Sequence, residues 1–166
     1  MSRAFTKEEA PEDPIVVPPR APLPEGVPNY VTPRGEGLLR AERQRLVDER
    51  AALASGDGTG RERSALTRRL AQLDARLART RVVDPKRQRP ATARFGAHVA
   101  LGAEDGSTRA FQIVGVDEAE PASGRIAFTA PLARAVSGKR VGDAVTLATA
   151  SGDEVLVVQS VRYGEA

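Results

Sequence analysis

Few residues in this sequence could do chemistry, and most of those have plain structural explanations. The only histidine, His98, sits in an alternating strand pattern, and one imidazole without placed partners makes no Ser-His-Asp set. There is no cysteine, which removes disulfides and Cys-based metal sites together and fits a cytoplasmic protein. The glycines from Ser55 to Gly60 form neither a dinucleotide fingerprint nor a phosphate loop. Two carboxylates, Asp57 and Glu62, lie in and just after that run. Asp57 suits a turn, and Glu62 stands three residues after Thr59 in capping-box spacing. What remains is charge. Residues 33–92 carry fifteen basic and eight acidic side chains, and the basic ones are almost all arginine. The flanks are each net negative, and the whole chain is +3. Such a stretch suits a polyanion, with Arg61, Arg63, Arg68 and Arg69 as the residues that would face it. It also suits a solvated helix face in a chain that prefers Arg to Lys, and composition does not choose between the two.

Those residues need elements to position them. Residues 1–31 hold seven prolines with no periodicity, and read as a disordered or polyproline-II tail. A helix is expected from Thr32 as N-cap, with Pro33 at its first position. Leu39, Leu46 and Leu53 recur at sevens, the glycine run stops the helix, and Leu66, Leu70, Leu73 and Leu77 continue at fours and threes. The two stripes predict an antiparallel coiled-coil hairpin over 32–82, pairing Leu53 with Leu66, Leu46 with Leu73 and Leu39 with Thr80. Each arm would span roughly 30 Å at 1.5 Å per residue. Residues 83–94 read as a basic linker. From Phe95 onward, alternating apolar runs and turn residues predict about five strands, with one short helix opening at Pro131 and ending at Gly138. The fold class is therefore α+β, a helical hairpin followed by a small β-rich domain over 95–166. No stretch approaches the roughly 18 apolar residues of a membrane span, so no membrane partner is expected; the chain is expected to be a monomer.

The C-terminal half has a recognisable order of residues. Pro131, Ala133, Arg134, Ala135, Gly138, Lys139, Gly142, Asp143, Gly152 and Tyr163 follow one another as in the C-terminal signature of the GreA/GreB transcription elongation factors. Gln112 to Glu118, Phe95-Gly96 and the opening Thr32, Arg34, Gly35 and Leu38-Leu39 also resemble that family. The resemblance implies an N-terminal coiled coil and an FKBP-like C-terminal domain. It implies docking at the rim of the secondary channel of core RNA polymerase, through Pro131, Ala133, Arg134, Gly138 and Lys139. The coil would then reach toward the polymerase active site, near nascent RNA or DNA. The protein would not itself be an enzyme and would carry no cofactor of its own. With four Phe and two Tyr in the chain, an aromatic-lined isomerase pocket is not expected.

Two departures from the family pattern shape the functional expectation. Family members that stimulate transcript cleavage carry an Asp-x-x-Glu-Asn-Ala-x-Tyr motif at the coil tip, where carboxylates help the polymerase hold a second Mg²⁺. Here the tip offers only Asp57 and Glu62, so any Mg²⁺ would be one shared with the polymerase active site. The arms also look about two turns short, like those of Rnk-type relatives. The expectation is a regulator of elongation without full cleavage-stimulating ability. The alternatives are a cleavage factor using Asp57 or Glu62, and an Arg-rich nucleic-acid-binding protein. Ala130 and Ala150 also replace a Ser and a Pro of the family pattern.

Overall fold

The computed structural model describes residues 13–56, 59–88 and 91–164. Helix α1 spans Pro33–Ser55 and α2 spans Gly60–Ala78. Both start as their sequences dictate. Gly35 N–H donates to the Thr32 hydroxyl at 3.2 Å, and Thr59 and Glu62 form a reciprocal capping box. Val31, Leu39, Leu46, Leu66, Leu70 and Leu73 are buried in one cluster, with Leu53 and Leu77 packed against it. Arg43 bridges to Asp74 across the two helices at 2.7 Å. The expected partnership of Leu39 with Thr80 does not form within a coil, because α2 ends at Ala78. Strand β1 (Asn29–Val31) instead pairs in parallel with β2 (Thr80–Val82) at the base of the hairpin. The β-branched Thr80 and Val82 ahead of Asp84-Pro85 favour extended backbone over another helical turn.

The C-terminal domain is a five-stranded sheet in the order β5-β4-β3-β7-β6. Its strands are β3 (His98–Ala103), β4 (Thr108–Val114), β5 (Arg125–Ala127), β6 (Ala144–Thr149) and β7 (Gly152–Arg162). Only the β4–β5 pair is parallel. Val99, Leu101, Phe111, Ile113, Val145, Leu156 and Val158 point to one face, where Ala133 and Val136 of α3 (Pro131–Val136) cover them. Along β7 the inward positions run Leu156, Val158, then Val161. A β-bulge opposite Ala100 and Leu101 supplies the extra residue that keeps the apolar set inward.

The stretches read as a linker and a tail are both fixed to these bodies. The linker over 83–94 is anchored at its far end, where buried Ala93 donates to Lys139 O and accepts from Gly138 N–H, both at 2.8 Å. The Tyr163 hydroxyl donates to Thr92 O at 2.7 Å and accepts Arg94 N–H at 2.9 Å. The tail expected to be disordered over 1–31 is, from Asp13 onward, an extended arm laid along α2 and continuing into β1. Its prolines remove donors and leave carbonyls, which the α2 arginines then bind. Residues 1–12 lie outside the described residues.

Candidate functional site

Helix α3 presents one face outward and one inward. Pro131 pre-sets its first turn, and Gly138 at φ +78° turns the chain out of it. Pro131, Arg134 and Gly138 are exposed and Lys139 is half-buried. Ala133 is only 2% exposed and packs against the sheet, so it is the floor of this surface and not a contact residue. Beside α3 opens a cavity of about 400 Å³, lined by Tyr30, Phe95, Ile113, Phe128 and Arg134 among others. The three aromatic rings meet with centroids 5.9 to 6.0 Å apart. Half of the chain's six aromatic residues thus gather at one place, contrary to the sequence expectation.

The hairpin tip carries Glu62. Its carboxylate accepts Thr59 N–H at 2.8 Å and the Thr59 hydroxyl at 3.1 Å. That backbone bond, with the hydroxyl, holds the Glu62 carboxyl below its ordinary value. Asp57 lies outside the described residues. Among the described residues, no group of three or more His, Cys, Asp or Glu comes together that could hold a metal ion. A Glu62 carboxylate already engaged by its own helix start does not fit the oxygen-rich shell Mg²⁺ requires.

The four arginines expected to face nucleic acid divide in two. Arg61 donates to Asp13 O at 2.9 Å and Arg68 to Ile15 O at 2.7 Å, both on the arm. Arg63 and Arg69 are exposed. Arg69 stands with Glu49 and Glu62 on the rim of a groove whose floor includes Leu53, Ala65 and Leu66 and against which Ile15 lies.

Where the hairpin meets the C-terminal domain, a polar cluster is buried. Glu118, 4% exposed, accepts Thr32 N–H at 2.9 Å, the Thr32 hydroxyl at 2.6 Å and Gly115 N–H at 3.0 Å. Its neighbour Asp117 accepts from Asn29 Nδ2 at 3.3 Å and Arg20 at 3.0 Å, and faces Arg76 Nε at 3.4 Å. A carboxylate so placed needs several donors, since an unpaired buried charge is strongly unfavourable.

A family model described as "Transcription elongation factor, GreA/GreB, C-term" matches residues 88–163. The transcription elongation factor GreA of Acidiphilium cryptum is 39% identical over 108 residues, covering 64% of this chain and 69% of that protein. GreB of Neisseria meningitidis serogroup B is 35% identical over 153 residues, covering 81% of this chain and 94% of that protein. The chain belongs to the GreA/GreB family. Among solved structures, the GreA/GreB factor from Nitrosomonas europaea aligns over 82% of this chain and 99% of that one, with 19% identity and a TM-score of 0.41.

In this GreA/GreB protein the matched segment contains α3, its flanking turns and the Asp117-Glu118 pair. In the sequence, Asp117 and Glu118 stand out only as part of the family-like string Gln112 to Glu118. Their role as the seat of the hairpin was hidden, since their partners Arg20, Asn29, Thr32 and Arg76 lie 41 or more residues away. One signal was available: two adjacent carboxylates following the apolar run of β4 must find donors if that loop is buried.

Proposed function

We propose that this chain binds core RNA polymerase at the rim of the secondary channel and regulates transcription elongation without supplying the acids for transcript cleavage. Membership of the GreA/GreB family supports the coarse reading, a transcription elongation regulator acting in the cytoplasm on an enzyme other than itself. The observation that carries the finer one is the contrast between the two ends of the molecule. At one end Pro131 and Arg134 stand exposed on a helix anchored by Ala133 and Val136, as a rigid docking element requires. At the other, the described carboxylate of the tip, Glu62, is committed to its helix cap. A hairpin placed in the channel by that docking would occupy space near the polymerase active site, and would alter elongation by position.

The test has two arms. Co-purification with core polymerase should be lost on joint substitution of Pro131→Ala and Arg134→Glu; retained binding would sink the docking surface. In backtracked elongation complexes, the protein should leave the intrinsic rate of transcript cleavage unchanged. Stimulation abolished by Asp57→Ala or Glu62→Ala would reinstate the cleavage-factor reading. Tight, steeply salt-dependent binding to nucleic acid without polymerase would favour the Arg-rich binder. The bonds of Arg61 and Arg68 to the arm weigh against that outcome.

A further inference from the structure

The hairpin and the C-terminal domain are joined at a pivot, where Glu118 receives Thr32 at the start of α1. Asn29, Arg76 and Tyr30 join the two halves beside the same pivot, so these contacts all act close to the axis of a rotation. The Pro-rich arm supplies a second point at a different place. Arg20 sends a two-pronged bond to Glu42 of α1, at 2.8 and 3.0 Å, and from the same guanidinium reaches Asp117 of the C-terminal domain at 3.0 Å. Glu42 lies ten residues past Thr32, roughly 15 Å along the helix from the pivot at 1.5 Å per residue. The Asp117 side chain is 5% exposed and is shared with Arg76 of α2, itself 8% exposed. Arm, α2 and C-terminal domain therefore converge on one desolvated carboxylate, and Arg20 links it to α1 through Glu42.

The rest of the arm is held so that Arg20 arrives there. Its carbonyls at Asp13, Ile15, Ala21 and Val27 accept from Arg61, Arg68, Arg76 and Arg79 in the same order along α2 and its C-cap. An extended Pro-rich chain has carbonyls to spare and few N–H groups, so a row of donor-only guanidinium groups is its natural counterpart. The contacts read backbone and fix a path. Among the described residues, Arg20 is the one arm side chain with ion-pair partners in both halves of the protein.

We propose that the N-terminal arm is a strap that sets the angle between the hairpin and the C-terminal domain, with Arg20 as its latch. This goes beyond the docking proposal and does not depend on it. An isolated surface pair would do little. Here the carboxylate is buried, the Arg20 fork is bidentate toward Glu42, and the lever from the pivot is long enough for a small rotation to break the contact.

The chain has no cysteine, so two introduced ones report without background. Arg50→Cys near the hairpin tip and Thr146→Cys on β6 are both at exposed positions, one on each half. Spin labels on that pair should give one narrow distance distribution in the parent. Arg20→Ala should broaden it or add a second population, Arg20→Lys should give an intermediate result, and removal of residues 1–28 should match Arg20→Ala. Glu42→Gln, which weakens the far end of the latch in a full-length chain, should move it in the same direction, which provides a reading even where a truncated chain fails to fold. A distribution equally narrow in parent and Arg20→Ala, or already broad in the parent, overturns the strap.

Discussion

Glu118 holds Thr32 by both of its donors: one carboxylate oxygen takes the backbone N–H at 2.9 Å and the other takes the hydroxyl at 2.6 Å. The same Thr32 oxygen accepts Gly35 N–H as the cap of α1, so a residue of the β-rich domain orients the residue that starts the hairpin. Gly115 completes the joint. A Cβ there would lie 2.5 Å from Tyr30 O, so the loop can approach β1 only as glycine. Helix start, strand and loop are thus fitted to one another through a single buried carboxylate.

Removing that carboxylate should therefore damage more than one element. Glu118→Ala leaves the buried N–H groups of Thr32 and Gly115 without their acceptor, and should cost about 3 kcal/mol of stability. Glu118→Gln keeps one acceptor oxygen and should cost less. Urea midpoints at constant slope would measure both, and equal stability of parent and Glu118→Ala would refute the role of the joint.

Two glycines in the first turns of α1 should respond in opposite directions to the same change. A Cβ at Gly35 would stand 2.6 Å from the Glu118 carboxyl carbon, whereas one at Gly37 would meet nothing within 4 Å. Gly35→Ala should destabilise by about 1–3 kcal/mol through overpacking. Gly37→Ala should stabilise by up to about 1 kcal/mol through helix propensity. Thermal midpoints that move the same way for both variants would contradict the geometry.

The helices, their caps and the strands of the C-terminal domain were legible in the sequence, because each rests on local pattern. Thr32-Pro33 and Thr59/Glu62 mark helix starts, leucines at threes and fours mark the buried stripe, and alternation marks β6 and β7. Other features were not legible, because they depend on distant pairings. Thr80 continues the heptad arithmetic yet belongs to β2, since pairing with Asn29 outweighs one more helical turn. The arm looks disordered by composition, and its order comes from arginines 48 or more residues away. Ala133 matches a docking motif by type, but only its place on the inner face of α3 reveals that it is core.

Tyr163 joins the last strand to the start of the domain. Its hydroxyl bonds Thr92 O and Arg94 N–H, and burial pushes its phenol above the ordinary value. Tyr163→Phe keeps the ring and removes both bonds, so it should cost about 1–2 kcal/mol. Faster amide hydrogen exchange at Arg94 should accompany the loss. Unchanged protection at that amide would show that the hydroxyl does not tether the linker.

Glu62 offers a test that separates a helix cap from a reactive acid. Its carboxyl is held below its ordinary value first by the Thr59 backbone bond, then by the Thr59 hydroxyl. The folded form therefore binds its proton less readily than the unfolded form does. Its contribution to stability is present above the ordinary carboxylate range and is lost as pH falls through the lowered value. The parent should lose stability on acidification more steeply than Glu62→Gln over that window, with the two curves converging at the acid end. Glu62→Gln should also fray the first turn of α2, read as faster amide exchange at Thr59, while leaving the effect on elongation by polymerase unchanged. A variant that keeps the turn intact but changes transcript cleavage would assign Glu62 to chemistry instead of structure.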